Sequence, residues 1–123
     1  MAEFKDLLGK TIVNIVGLHK HSREIDIYTS TGEHYIMKHY QTCCEDVQVE
    51  DVCGEIDDIL NSPILQAEES TSDTNPSDIK KEYQESFTWT FYRIATMKGQ
   101  VVIRWYGESS GYYSEEVEFD KIS

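Results

Sequence analysis

Polar and apolar positions alternate with a period of two along most of this chain, and one short stretch carries a helical period. Asp6 to Gly9 reads as a single turn, ended by the glycine. Thr11 to Leu18 (TIVNIVGL) is rich in β-branched residues and reads as a strand. Glu24 to Thr29 sets Ile25 and Ile27 on one face, Asp26 and Tyr28 on the other, the pattern of a half-buried strand. Ser30-Thr31-Gly32-Glu33 is a tight turn, and His34 to Tyr40 returns as a third strand. Connections this short exclude parallel crossovers, so the three segments read as an antiparallel meander.

The middle is less regular. Val47 and Val49 alternate with polar neighbours between Cys43 and Val52, which favours an extended piece broken at Gly54. Glu55 to Asn61 places Ile56, Ile59 and Leu60 at helical spacing and predicts a two-turn helix stopped by Pro63. Ile64 to Ala67 reads as a short strand. The segment at about 69–83 is rich in Ser, Thr and Asp, holds Pro76 and lacks large apolar residues until Ile79, so it reads as a flexible acidic loop within one domain spanning 1–123.

Alternation resumes at Phe87 to Met97, with Phe87, Trp89 and Phe91 opposing Thr88, Thr90 and Tyr92. Lys98-Gly99 is a hairpin signal, Gln100 to Tyr106 a return strand, Gly107 to Gly111 a turn or bulge, and Tyr112 to Phe119 a further strand. The expected fold is α+β, mostly β. Two antiparallel meanders form a twisted sheet or a small barrel with one short helix.

Charge divides the chain differently. The formal net charge is −12, with 23 acids and 11 Lys or Arg. Residues 45–85 hold 13 of the acids against Lys80 and Lys81, while the flanking thirds are nearly neutral. An acidic chain lacks the basic footprint of a direct nucleic-acid or anionic-membrane binder. No apolar run approaches the roughly 18 residues of a membrane span, and no secretory pattern opens the sequence. Three cysteines, two of them adjacent, form no disulfide framework and fit a reducing cytosol.

Three constellations could carry chemistry. His39, Cys43, Cys44 and Glu45 have the residue types of a metal or thiol site, but no CxxC or HxxxH spacing, and buried reduced cysteines beside a turn are the plainer reading. Glu68 and Glu69 are a carboxylate pair suited to acid–base work or a hard cation, against the plainer reading of a solvated face. Arg104, Trp105, Glu108, Ser110, Tyr112 and Tyr113 surround a glycine-bracketed turn, where aromatics could stack on a planar ligand and Arg104 could meet a phosphate. Cross-strand packing explains the same aromatics. Gly107-Glu-Ser-Ser-Gly111 has the spacing of a nucleophile elbow, but a strand rather than a helix is expected after it.

The segments HYQTCCEDV, CGEIDDILNSPILQAEE and FTWTFYRIATMKGQVVIRWYGESSGYYSEEV resemble a family of small phage- and prophage-borne proteins with no assigned biochemical function. The resemblance covers the chain from Gly9 onward, apart from the 70–84 loop. It implies a small accessory protein acting in the cytoplasm of a bacterial host, against a host process.

Three functions compete. The leading one is a non-enzymatic binder that inhibits a host protein of defence or nucleic-acid processing, with its carboxylates standing where phosphates would lie. The second sequesters a small nucleotide-type ligand in an aromatic pocket. The third is a metal-dependent enzyme built on His39, Cys43 or Cys44, and Glu68-Glu69. No cofactor and no resident metal are expected. Edge strands could pair into a homodimer across a two-fold axis.

Overall fold

The computed structural model describes residues 2–78, 86–111 and 113–123. Among these residues eight strands run β1 (Ile12–Val16), β2 (Glu24–Thr29), β3 (His34–Lys38), β4 (Asp46–Cys53), β5 (Gln66–Ser72), β6 (Ser86–Thr96), β7 (Gly99–Ser109) and β8 (Glu118–Lys121). Single 3-10 turns occupy Phe4–Leu7 and Ile56–Ile59. The strands form two antiparallel sheets, a front sheet ordered β1-β2-β3-β8 and a back sheet ordered β4-β7-β6-β5. Each ends in open edges among the described residues, so the architecture is the sheet alternative and not the barrel.

The front meander follows its sequence pattern. Ile25 pairs with Met37 and Ile27 with Tyr35, and all four side chains are buried. Gly32, at φ 84°, takes the left-handed position of the turn, where a Cβ would be strained.

The back half also contains a meander, but it is made of β5, β6 and β7 rather than of β6, β7 and the strand after them. β8 does not return beside β7; it crosses to the front sheet and pairs with β3, Phe119 opposite Met37. The reason is that β7 has no free edge. β4 takes one side of it, from Asp46 opposite Glu108 to Cys53 opposite Val102, and β6 takes the other over eleven residue pairs. Phe119 gains more by stacking on Tyr35, with ring centroids 5.2 Å apart, and by meeting Phe4 edge-on at 5.5 Å.

Two further expectations shift. The two-turn helix over 55–61 is one 3-10 turn, whose Ile59 alone is fully buried. The short strand expected over 64–67 begins later and runs to Ser72, because β5 is the edge partner of β6 along Gln66 to Ser72. The first residues of the segment read as a loop are therefore strand, while 79–83 lie outside the described residues.

One core joins both sheets. Ile25, Ile27 and Met37 from the front meet Val49, Ile94 and Trp105 from the back, and Leu7 and Ile64 close one end. Burying such side chains is worth roughly 1.5–3 kcal/mol each and is the main stabilising term.

Candidate functional site

The chain between β3 and β4 turns on a buried carboxylate. Glu45, immediately before β4, has a side chain with no exposed surface, and that of His39, just beyond β3, is 4% exposed. His39 Nε2 lies 2.9 Å from Glu45 Oε2, and Nδ1 lies 2.7 Å from the Glu116 carbonyl. The backbone N–H groups of Thr42 and Cys43 donate to the same carboxylate at 3.1 and 2.8 Å. Gln41 donates to the Glu45 carbonyl and, more distantly, to its carboxylate. Burial alone would raise the Glu45 pKa. The hydrogen bonds from His39, Cys43 and Thr42 outweigh it and hold the group at about 2. This arrangement locks a turn and spends the carboxylate on its own loop.

The cysteines correct the sequence reading. Cys43 and Cys44 are exposed, not buried, and are joined to each other by a disulfide; Cys53 is free and exposed. Among the described residues no group of three His, Cys, Asp or Glu side chains is gathered for a metal. The His39–Cys–Glu68–Glu69 set is dispersed, since His39 is engaged by Glu45 and the two glutamates stand on the edge strand β5.

Glu68 and Glu69 instead rim a groove of about 640 Å³. Its floor is apolar, formed by Phe4, Ala67, Val117 and Phe119, and Glu3 and Lys5 stand on the far rim, paired at 3.0 Å. Burial first, and then the nearby Glu116 charge, raise the Glu69 pKa. The groove thus combines apolar surface with two carboxylates on one rim, and Glu116, outside the lining, repels one of them.

The aromatic turn does not converge on one pocket. Alternation along β7 sends Trp105 into the core and Tyr106 to the opposite face. Trp105 is fully buried, and its Nε1 has no hydrogen-bond partner among the described residues. It therefore cannot stack on a ligand from solvent. Arg104 is engaged by two carboxylates. Nε and Nη2 donate to Asp51, and Nη1 and Nη2 donate to Asp78 at 3.1 Å each. Both partners, Asp51 first, push its pKa above the usual value. Glu108 accepts from Tyr106 at 2.8 Å, Ser110 is exposed, Tyr113 is 37% exposed, and Tyr112 lies outside the described residues.

The residue that organises this turn is Glu115, which sequence reading passed over. Its buried carboxylate accepts from Thr88 at 2.8 Å and from Ser109 at 2.5 Å. Its backbone passes so close to Gly107 that a Cβ there would lie 2.9 Å from the Glu115 oxygen. A glycine inside a strand signals such a close approach. Asn75 and Asp78, in the segment after β5, carry no motif in the sequence.

The acids of the middle third are partly neutralised in place. Asp46 pairs with Arg23 at 2.7 Å and Asp51 with Arg104. A rigid row of free carboxylates on β4, as phosphate imitation requires, is thereby broken.

Comparison with protein-family models matches residues 5–119 to a domain of unknown function, DUF7448. Neither the curated proteins nor the solved structures contain a match. No helix among the described residues is long and apolar enough to cross a membrane.

Proposed function

The chain belongs to the DUF7448 family, and we propose that it is a non-enzymatic binding protein that engages a host protein through the acid-rimmed groove beside β5. The groove is the observation that carries this reading. Phe4, Val117 and Phe119 offer an apolar floor, and Glu68 and Glu69 offer charge at its edge. A cationic, amphipathic segment matches both, because a Lys or Arg side chain covers apolar surface with its stem while its head meets a carboxylate. Such a cation would also relieve the repulsion between Glu69 and Glu116.

The setting follows from the sequence resemblance: a phage- or prophage-borne accessory protein in the cytoplasm of a bacterial host, inhibiting the partner it holds. Basic grooves that accept nucleic acid are one class of surface this chemistry would block. Imitation of a regular phosphate row is the weaker form of the idea, since Asp46 and Asp51 are already paired with arginines.

The test is affinity capture from host lysate with mass spectrometry, run in parallel with the Glu68→Gln/Glu69→Gln double variant. A partner retained by the wild type, lost by the double variant and weakened as salt shortens the Debye length below about 10 Å supports the groove. Equal capture by both proteins removes it.

A further inference from the structure

β6 turns its larger apolar side chains away from the core. Tyr92 and Ile94 face inward, so strand alternation puts Phe87, Trp89 and Phe91 on the outer face of the back sheet. The register sets Tyr106, Arg104 and Val102 of β7 beside Trp89, Phe91 and Arg93. Four rings run in contact: Phe91 lies parallel to Trp89 at 6.1 Å, Trp89 meets Tyr106 at 4.9 Å, and Tyr106 lies 6.1 Å from Phe87. The outer face of a two-layer antiparallel fold is ordinarily polar. Here it is an aromatic ladder flanked by two arginines, in a protein of net charge −12.

The segment 73–78 crosses this ladder as a strap after β5. Trp89 Nε1 donates to Asn75 Oδ1 at 3.0 Å, and Trp89 has no exposed surface. Asp51, one strand away, fixes the Arg104 guanidinium through Nε and Nη2. The remaining Nη1–Nη2 edge is taken by the Asp78 carboxylate. The two acids differ in standing, since the Asp78 side chain is 62% exposed and that of Asp51 is 32% exposed. Beyond the ladder, a hollow of about 310 Å³ opens between Phe91, Arg93, Val102 and Ser70, with Glu68 and Glu69 also in its lining.

We propose that this outer face is a binding site for a planar aromatic anion of the nucleoside phosphate class, and that the strap occupies it as an intramolecular stand-in. The strap's contacts report the ligand chemistry. A carboxylate gripping two guanidinium N–H groups holds the place of a phosphate, which Arg recognises with the same fork. Phe91 is the cross-strand neighbour of Arg104, so a base entering the hollow stacks on Phe91 with its phosphate within reach of that fork. Arg93 is exposed beside the hollow, with Glu68 as its cross-strand neighbour, and is the second cation on this face. Ligand and strap exclude one another, so binding competes with strap closure.

Calorimetry at fixed ionic strength tests this on the full chain with ATP, AMP and pyrophosphate as probes. ATP binds the wild type, and Asp78→Asn tightens it about two- to fivefold, the range set by an exposed ion pair. Asn75→Ala leaves the charge unchanged and tightens ATP similarly, which separates strap release from lost repulsion. Phe91→Ala, checked for folding by circular dichroism, weakens ATP about tenfold, and pyrophosphate binds at least about tenfold more weakly than ATP for want of a ring to stack. Absence of ATP binding in both strap variants, no tightening by Asn75→Ala, or pyrophosphate matching ATP overturns the proposal. The groove and the hollow share Glu68 and Glu69 but not the floor of Phe4, Val117 and Phe119, and none of these variants alters a groove residue.

Discussion

His39 Nε2 sits 2.9 Å from Glu45 Oε2, and the two side chains are 4% and 0% exposed. The other ring nitrogen faces the Glu116 carbonyl at 2.7 Å. Both ring nitrogens therefore meet oxygens on other segments of the chain. One side chain thereby ties the end of β3, the start of β4 and the segment leading to β8. The loop holding Cys43 and Cys44 hangs from the same carboxylate.

Acid should loosen this tie in a defined window. Glu45 has a folded pKa of about 2 against 4.5 for the free group. Above pH 4.5 it is ionised in both states, and its contribution to stability is complete. As pH falls below 4.5 the unfolded chain takes up the proton and the folded one does not, so stability declines down to about pH 2. Glu33, held at about 2 chiefly by its bond to Lys10, acts in the same direction. Urea unfolding at stepped pH should show Glu45→Gln less stable than wild type at pH 7, with the gap closing toward pH 2. A gap independent of pH would refute the assignment.

Trp105→Ala should act as a core truncation. The side chain is fully buried against Val49, Ile103 and their neighbours, and large aromatic truncations cost about 3–5 kcal/mol. Trp105→Phe removes the unpartnered indole N–H and a smaller volume, and should cost less than half as much, because an unsatisfied buried donor is itself a penalty of about 1–3 kcal/mol. Chemical denaturation of the two variants gives the comparison, and equal losses would argue against the indole N–H as a penalty.

What the sequence discloses and what it hides divide along contact range. The front meander is legible because its strands are joined by short turns and its alternation of Ile25 and Ile27 with Asp26 and Tyr28 is local. The pairing of β4 with β7 is not legible, since Val49 and Trp105 meet across more than fifty residues and neither carries a sign of the other. The same gap explains β8, whose apolar pair Val117 and Phe119 fits either sheet until β7 is known to be full. Of the candidate site, His39 and Glu45 come together, and Glu68 and Glu69 share a groove. Cys43 and Cys44 prove exposed, and Trp105 is lost to the core. Which face of β6 points inward is not decided by its pattern, because Phe87, Trp89 and Phe91 look more core-like than Thr88, Thr90 and Tyr92.

Gly107→Ala should be costly although its backbone is ordinary strand. A Cβ would lie 2.9 Å from the Glu115 oxygen, 3.0 Å from the Glu115 Cβ and 3.1 Å from Val47 Cγ2. Two of these neighbours are fixed by the bonds of Glu115 to Thr88 and Ser109, so the backbone must move. Overpacking of this kind costs about 1–3 kcal/mol. Gly111→Ala is a poor control because of its positive φ; Ser110→Ala, on the exposed turn, should stay within about 0.5 kcal/mol. Thermal unfolding of both variants should separate them by several degrees, and a Gly107→Ala protein as stable as Ser110→Ala would mean that the segment at Glu115 yields.

Arg104 offers an internal comparison of a fixed and a removable partner. Asp51 comes from β4, is held in the sheet, and meets a guanidinium that is itself 13% exposed. Asp78 comes from the strap and is mostly in water. Removing Asp51 leaves a half-buried cation with only a solvent-exposed carboxylate, so Asp51→Ala should cost about 1–3 kcal/mol. Asp78→Ala removes a pair already screened by solvent and should cost about 0–1 kcal/mol. A double-mutant cycle with Arg104→Met measures each coupling directly. The expected order is Asp51 well above Asp78. The reverse order would mean that the strap is part of the structural framework, and a segment so firmly held could not give way to a ligand.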